Sequence, residues 1–230
     1  MKKSLIVTGF LIILSLSVFS EEEHPINLKF SALSLSDSLG NVIYKVGEEV
    51  FNINGIPNGA RSPEYSYNGP IELTFYKHGT VYEKIGTVKL SPTFKKVLLL
   101  FVANTNSGSI PYSIYPMDES DLKYTPNSYY FINITNYDIR GLLNDSKFEI
   151  KSFNRKVVPV TGSPEDNEIS MVFSHKEEWK PLYRSKWANK ADLRTMVMLI
   201  PRSPGSKKVT IRQFVDSKPQ SIEVPRNSVE

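Results

Sequence analysis

The sequence has no cysteine. Disulfides, thiol catalysis and cysteine-ligated metal sites are therefore excluded, and a folded state must rest on packed cores alone. Histidine is scarce too: His24, His78 and His175, no two of them at metal-ligand spacing, which argues against a zinc centre. No Gly-x-Ser-x-Gly elbow occurs, and no Ser-x-x-Lys embedded in confirming motifs. A triad assembled from distant residues is the catalytic arrangement left open. Beyond the N-terminus no stretch carries a convincing helical apolar period. The chain is thus expected to be no enzyme, with no cofactor and no metal.

A net excess of charge of either sign is also nearly missing: 28 Lys and Arg stand against 24 Asp and Glu. Lys2 and Lys3 form a basic start, Leu5 to Val18 is apolar apart from Thr8, Gly9, Ser15 and Ser17, and Val18-Phe19-Ser20 precedes Glu21 to Glu23. This is the layout of a secretory signal peptide over residues 1–20, cleaved after Ser20. The alternative, an uncleaved anchor, needs about 20 apolar residues, longer than this run. With no cysteine after the run, lipid attachment is excluded. Taking the two lysines off the formal +4 leaves +2 for the mature chain. So balanced a protein has no general pull toward nucleic acid or anionic membrane. The expected location is periplasmic or extracellular, with no membrane span after cleavage.

What is present is β-pattern. Ile26, Leu28, Phe30 and Ala32 alternate with polar or small residues, as in a half-buried strand. Val42–Val46 and Val50–Ile53 read as a pair joined at Gly47, and Tyr65-Ser66-Tyr67 leads to an expected turn at Asn68-Gly69-Pro70. Val97–Val102 is a continuous apolar run, expected to be covered on both faces. Residues 119–127 lack apolar periodicity and read as a linker. Tyr129, Phe131 and Ile134 restart the strands. Leu142 and Phe148 flank a turn at Asn144-Asp145-Ser146, and Ile169, Met171 and Phe173 alternate. Roughly a dozen or more short strands with turn signals every 8–12 residues describe a β-sandwich or barrel.

The second half also echoes the first. Ile26–Leu33 resembles Tyr129–Asn136, Lys45–Ile53 resembles Leu142–Ile150, and Ile71–Tyr76 resembles Ile169–Ser174. Val88–Val102 resembles Ser185–Ile200, and Tyr112–Asp118 resembles Thr210–Asp216. The offset stays near about a hundred residues, a repeat of domain size. The expected architecture is all-β: two tandem Ig-like antiparallel β-sandwiches over 25–118 and 128–217, joined by the linker 119–127 and followed by a tail over 218–230.

Three passages carry a further resemblance: Tyr67 to Phe75, Phe131 to Thr135, and Trp179 to Trp187 with its W-K-P-L-Y-R-S-K-W order. In them the mature chain resembles exported bacterial β-sandwich proteins of unknown function. The resemblance implies an envelope or secreted location and an Ig-like sandwich. It brings no activity and no site residues.

The strongest candidate site is aromatic. Trp179, Tyr183 and Trp187 recur every four residues. On an unbroken strand even offsets place all three on one face. Exposed, such a row stacks on sugar rings; buried, it is core. A divided outcome puts one tryptophan in the core and the other near the domain junction. Tyrosines 65, 67, 112, 115, 124, 129 and 130 gather near that junction, either as an interdomain contact or as half-buried strand residues. Asp118-Glu119-Ser120-Asp121 offers hard oxygens to calcium but lacks EF-hand spacing, so it reads as a solvated acidic linker. Asn133-Ile-Thr135 and Asn144-Asp-Ser146 match glycosylation spacing but read as strand and turn chemistry. The leading functional expectation is a non-enzymatic envelope protein that binds or scaffolds a protein or polysaccharide. Its rivals are a carbohydrate-binding module on the Trp179–Trp187 face and a hydrolase with a dispersed site.

Overall fold

The structure is a computed structural model. It describes residues 25–104, 110–162, 165–176, 178–202, 206, 208–218, 220–221 and 226–227. The expected signal peptide and His24 lie outside the described residues.

The first half supplies β1 (Ile26–Ser34), β2 (Val42–Val46), β3 (Glu49–Asn52), β4 (Tyr65–Gly69), β5 (Glu72–Lys77), β6 (Glu83–Lys89), β7 (Lys96–Ala103) and β8 (Tyr112–Asp118). The second supplies β9 (Ser128–Asn133), β10 (Ile139–Leu143), β11 (Ser146–Ile150), β12 (Asn154–Pro159), β13 (Asn167–His175), β14 (Glu178–Trp187), β15 (Arg194–Pro201) and β16 (Val209–Asp216). A short β17 (Arg226–Asn227) follows. One sandwich pairs sheet β4-β1-β7-β8 with sheet β3-β2-β5-β6; the other pairs β12-β9-β15-β16 with β11-β10-β13-β14. The chain is therefore an all-β protein of two tandem sandwiches, each strand of the second occupying the place of the strand eight earlier.

The repeat extends to details. Among the described strands, pairing is antiparallel except for one parallel pair at the centre of each inner sheet, β1 with β7 and β9 with β15. A bulge at Ile85, between the partners of Phe75 and Tyr76, is matched by one at Leu182, between the partners of Met171 and Val172. The β2–β3 and β10–β11 hairpins turn at Gly47 and Asn144, whose φ values are 59° and 49°. That left-handed conformation suits glycine and asparagine best. Phe51 stacks on its cross-strand partner Tyr44, while Phe148 lies over its partner Gly141, where no side chain competes.

Three apolar cores stack along the molecule. Phe30, Tyr44, Phe75 and Phe101 centre the first sandwich; Tyr129, Phe131, Phe148 and Trp187 centre the second. Between the inner sheets Leu33, Leu98, Leu100, Tyr130, Ile132, Met196 and Met198 form a third core. The two sandwiches thus make a four-layer stack. This explains the patterning: the inner strands β7, β9 and β15 are buried on both faces, hence their continuous apolar runs.

Some expectations are corrected. Asn68 and Gly69 do not turn; they pair with Asn27 and Ile26 inside β4. Pro181 stands inside β14, as the edge position of that strand permits. The described residues of the 218–230 tail lie against the first sandwich: Glu64 N–H donates to Gln220 O at 2.9 Å, and β17 pairs with β3.

Candidate functional site

The aromatic row does not form one face. The Leu182 bulge shifts the register, and a one-residue shift turns the strand's side chains over. Trp187 is buried in the second core beside Tyr129 and Phe131, its Nε1–H donating to Tyr183 Oη at 3.1 Å. Tyr183 is half-buried against the same core. Trp179 lies across the sheet with 37% exposure, on its outer face rather than near the junction. The Arg140 guanidinium sits 4.2 Å above its ring, and Arg140 in turn donates to Glu149. One face of the Trp179 ring is thus occupied by an arginine.

The acidic linker is also changed. Glu119 is buried, not solvated, and accepts two hydrogen bonds from Arg61 at 2.8 and 2.9 Å. Asp118 Oδ1 accepts from Ser120 N–H at 2.9 Å, and Asp121 pairs with Arg155. Each carboxylate therefore has a protein partner, and among the described residues no three His, Asp or Glu side chains cluster as a metal site. Asn133 is fully buried, donating to Tyr137 O and Lys151 O, and Asn144 donates to Thr161 O and Asn167 Oδ1. Both are structural. The tyrosines divide: Tyr65, Tyr67 and Tyr129 sit inside single sandwiches, while Tyr115, Tyr124 and Tyr130 lie where the two meet.

Two features occupy that meeting place. One is a buried ionic chain. Arg61 Nε donates to Asp216 Oδ1 at 3.0 Å, and Arg194 holds the other Asp216 oxygen at 2.7 Å from Nε. Arg61 also donates to Ser31 Oγ at 2.9 Å. All four charged side chains are at most 3% exposed. Burial alone would lower the Arg61 pKa; Glu119 and Asp216 outweigh it and keep the guanidinium charged. The strand register makes Glu119 and Asp216 equivalent positions of the two sandwiches, one residue off the match of Tyr112–Asp118 with Thr210–Asp216 in the sequence. One arginine thus binds both halves of a pseudosymmetric acid pair. Single-sequence reading missed it, because neither arginine stands near its partners in the chain.

The other feature is a groove of about 670 Å³ where edge strand β8 of one inner sheet runs beside edge strand β12 of the other. Phe94, Met117, Leu122, Phe153 and Val157 line it, with Asp121, Arg155 and Lys156 among the polar groups. Phe153 is the unusual member. It has φ 50°, a region rare for a bulky residue, and stays 46% exposed. Its ring stacks on Tyr115 at 5.9 Å. The tight turn beneath it is pinned by Ser152, whose N–H donates to Asp138 and whose hydroxyl donates to Thr135 O. Strain held by its surroundings at an exposed aromatic points to a use for that aromatic.

Fold and site together define a two-sandwich protein with a groove at the seam of its inner sheets. No protein-family model matches the sequence, and no curated protein matches it. Among solved structures it is similar to the two tandem C2 domains of extended synaptotagmin 2, with 8% identity and a TM-score of 0.24 over 94% of this chain and 100% of that one. A superposition so loose carries no argument about this chain.

Proposed function

We infer that this chain is an exported, non-enzymatic protein with a binding or scaffolding role in the cell envelope, and that it binds through the β8–β12 groove. The observation that carries the reading is Phe153: an exposed ring in a strained backbone position, stacked on Tyr115 at the mouth of a partly apolar groove. The buried Arg61–Asp216 pair and the shared apolar core hold the two sandwiches as one body. A groove made from both of them then keeps its shape, which lowers the entropic cost of binding. The signal-like N-terminus supports export. The resemblance to exported bacterial sandwich proteins supports the envelope.

The carbohydrate alternative on Trp179, Tyr183 and Trp187 loses its platform, since Trp187 is core and Arg140 occupies one face of Trp179. A dispersed hydrolytic site gains no support from His78, which packs on Tyr82, or from His175, which packs on Tyr137.

The absence of cysteine allows a direct test. The full chain is expressed in a bacterial host, and the mass of the secreted product is expected to start at Glu21. Lys156→Cys, at the groove, and Glu72→Cys, on a distant outer strand, are each labelled with an environment-sensitive dye. Titration with envelope polysaccharide and with envelope protein should give a saturable change at Lys156→Cys and none at Glu72→Cys. Equal responses at both positions, or none at either, would remove the groove from the reading. A product retaining residues 1–20 would remove export.

A further inference from the structure

The seam occurs twice, and at one copy the sheet edge already has a backbone partner. At the far side of the inner sheets, β4 and β16 meet as β12 and β8 meet at the groove. There Gln220 and Ser221, a few residues after β16, lie beside Glu64 at the start of β4. Glu64 N–H donates to Gln220 O at 2.9 Å, and Glu64 forms a parallel bridge with Ser221. Two residues of the chain's own tail, Gln220 and Ser221, thus meet the edge of an inner sheet through its backbone. At the groove the corresponding linker does not do this. It turns back at once, Leu122 N–H donating to Glu119 O at 2.9 Å, and leads into β9.

The register identifies the donor left on the second edge. The strand register makes Phe30 the counterpart of Tyr129, four residues from the match of Ile26–Leu33 with Tyr129–Asn136 that the sequence suggests; their partners Tyr65 and Val158 are equivalent too, so Glu64 corresponds to Val157. Residues of an antiparallel strand alternate between bonding the neighbour and facing outward. Pro159 has no N–H, and an edge strand carries such a proline with its nitrogen outward. Arg155 N–H donates to Asn154 Oδ1 at 2.7 Å. Both place Arg155, Val157 and Pro159 on the outward parity, the parity Glu64 uses to bind the tail.

We propose that the groove binds an extended peptide of a partner protein by strand addition to the β12 edge, with the Val157 N–H as the counterpart of the Glu64 N–H that holds the tail. The inference rests on the groove being the binding site and adds the class of its ligand. Backbone hydrogen bonds to an edge give affinity, and pockets for alternate side chains give selectivity. Here Met117, Leu122 and Phe153 supply apolar pockets, so the peptide is apolar at alternate positions.

The test uses linear dodecapeptides selected from a random phage-displayed library on the mature protein, then synthesised with a fluorophore. Val157→Pro removes the outward N–H and keeps an apolar side chain, as Pro159 shows this parity tolerates. Its melting temperature, measured alongside, is expected to stay near wild type. Binding by anisotropy should weaken about tenfold or more, the scale of one lost buried hydrogen bond. N-methylation of alternate peptide residues should weaken it likewise. Phe153→Ser should also weaken it. If Phe153→Ser weakens binding and Val157→Pro does not, the groove stands and strand addition falls. Peptides indifferent to both variants overturn the proposal. So does a failure to select any peptide while labelled Lys156→Cys responds to polysaccharide. If a synthetic peptide of residues 217–230 outcompetes every selected sequence, the occupant is a second copy of this chain, and a distinct partner is ruled out.

Discussion

Arg61 ties the two sandwiches together by donating from Nε to Asp216 at 3.0 Å while both nitrogens of its fork hold Glu119. Breaking a buried pair by removing one partner leaves an uncompensated charge, at a cost of about 3–5 kcal/mol. Arg61→Ala removes the cation from two buried carboxylates at once. Equilibrium urea unfolding should show a loss in that range, and Arg61→Lys should recover only part, because a single ammonium cannot reproduce the fork. A loss under about 1 kcal/mol for Arg61→Ala would mean the ionic chain does not hold the halves together.

Trp187 and Trp179 should separate cleanly. Trp187 is core, and truncating a core aromatic to alanine costs about 3–5 kcal/mol. Trp179 is half out of the fold and contributes a cation–π contact with Arg140, worth about 0.5–1 kcal/mol at an exposed site. Thermal melts of Trp187→Ala and Trp179→Ala should therefore differ by many degrees, with Trp187→Ala the lower. Similar melts for the two would contradict the Leu182 register shift.

Gly141 leaves room for the ring of Phe148, and a Cβ there would overlap all of its nearest ring atoms. Gly141→Val should destabilise the protein by about 1–3 kcal/mol through overpacking. Gly40→Ala, where the added Cβ meets nothing, is the control and should stay within about 0.5 kcal/mol. Chemical denaturation of both compares them directly.

Glu64 links the tail to pH. Burial raises its pKa, but hydrogen bonds from Lys96, Ser221 and Lys29, with the Lys96 charge, hold it below the ordinary carboxylate value. A carboxylate depressed in the folded state stabilises above its unfolded pKa, and that stability disappears as pH falls through the folded value. The docking of Gln220 and Ser221 should thus be complete at neutral pH and lost in acid, below the usual glutamate range. Hydrogen exchange of the 217–221 segment across that range should show the loss. Glu64→Gln should remove its pH dependence.

Much of the architecture is legible in one sequence. Alternating Ile26, Leu28, Phe30 and Ala32 mark β1, and the hairpin turns at Gly47 and Asn144 fall where their residues predict. The repeat is legible because equivalent strands keep the same apolar order, so Val88–Val102 and Ser185–Ile200 match strand for strand. The site is not. Even spacing of Trp179, Tyr183 and Trp187 assumes an unbroken strand, and the Leu182 bulge breaks it. Asn68-Gly69 carries turn residues yet is held straight by pairing with β1.

Side-chain period and turn chemistry are local properties, so a cysteine-free, all-β chain with a repeated strand order follows from the residues alone. That the two sandwiches share a core, and that Arg61, Glu119, Asp216 and Arg194 neutralise one another beside it, emerges first in three dimensions. So does the meeting of the tail with one seam while Phe153 and Val157 flank the other. These depend on residues far apart in the chain meeting at sheet edges. Pairing of edges is fixed by how whole sheets stack, not by any signal a short stretch of residues can carry.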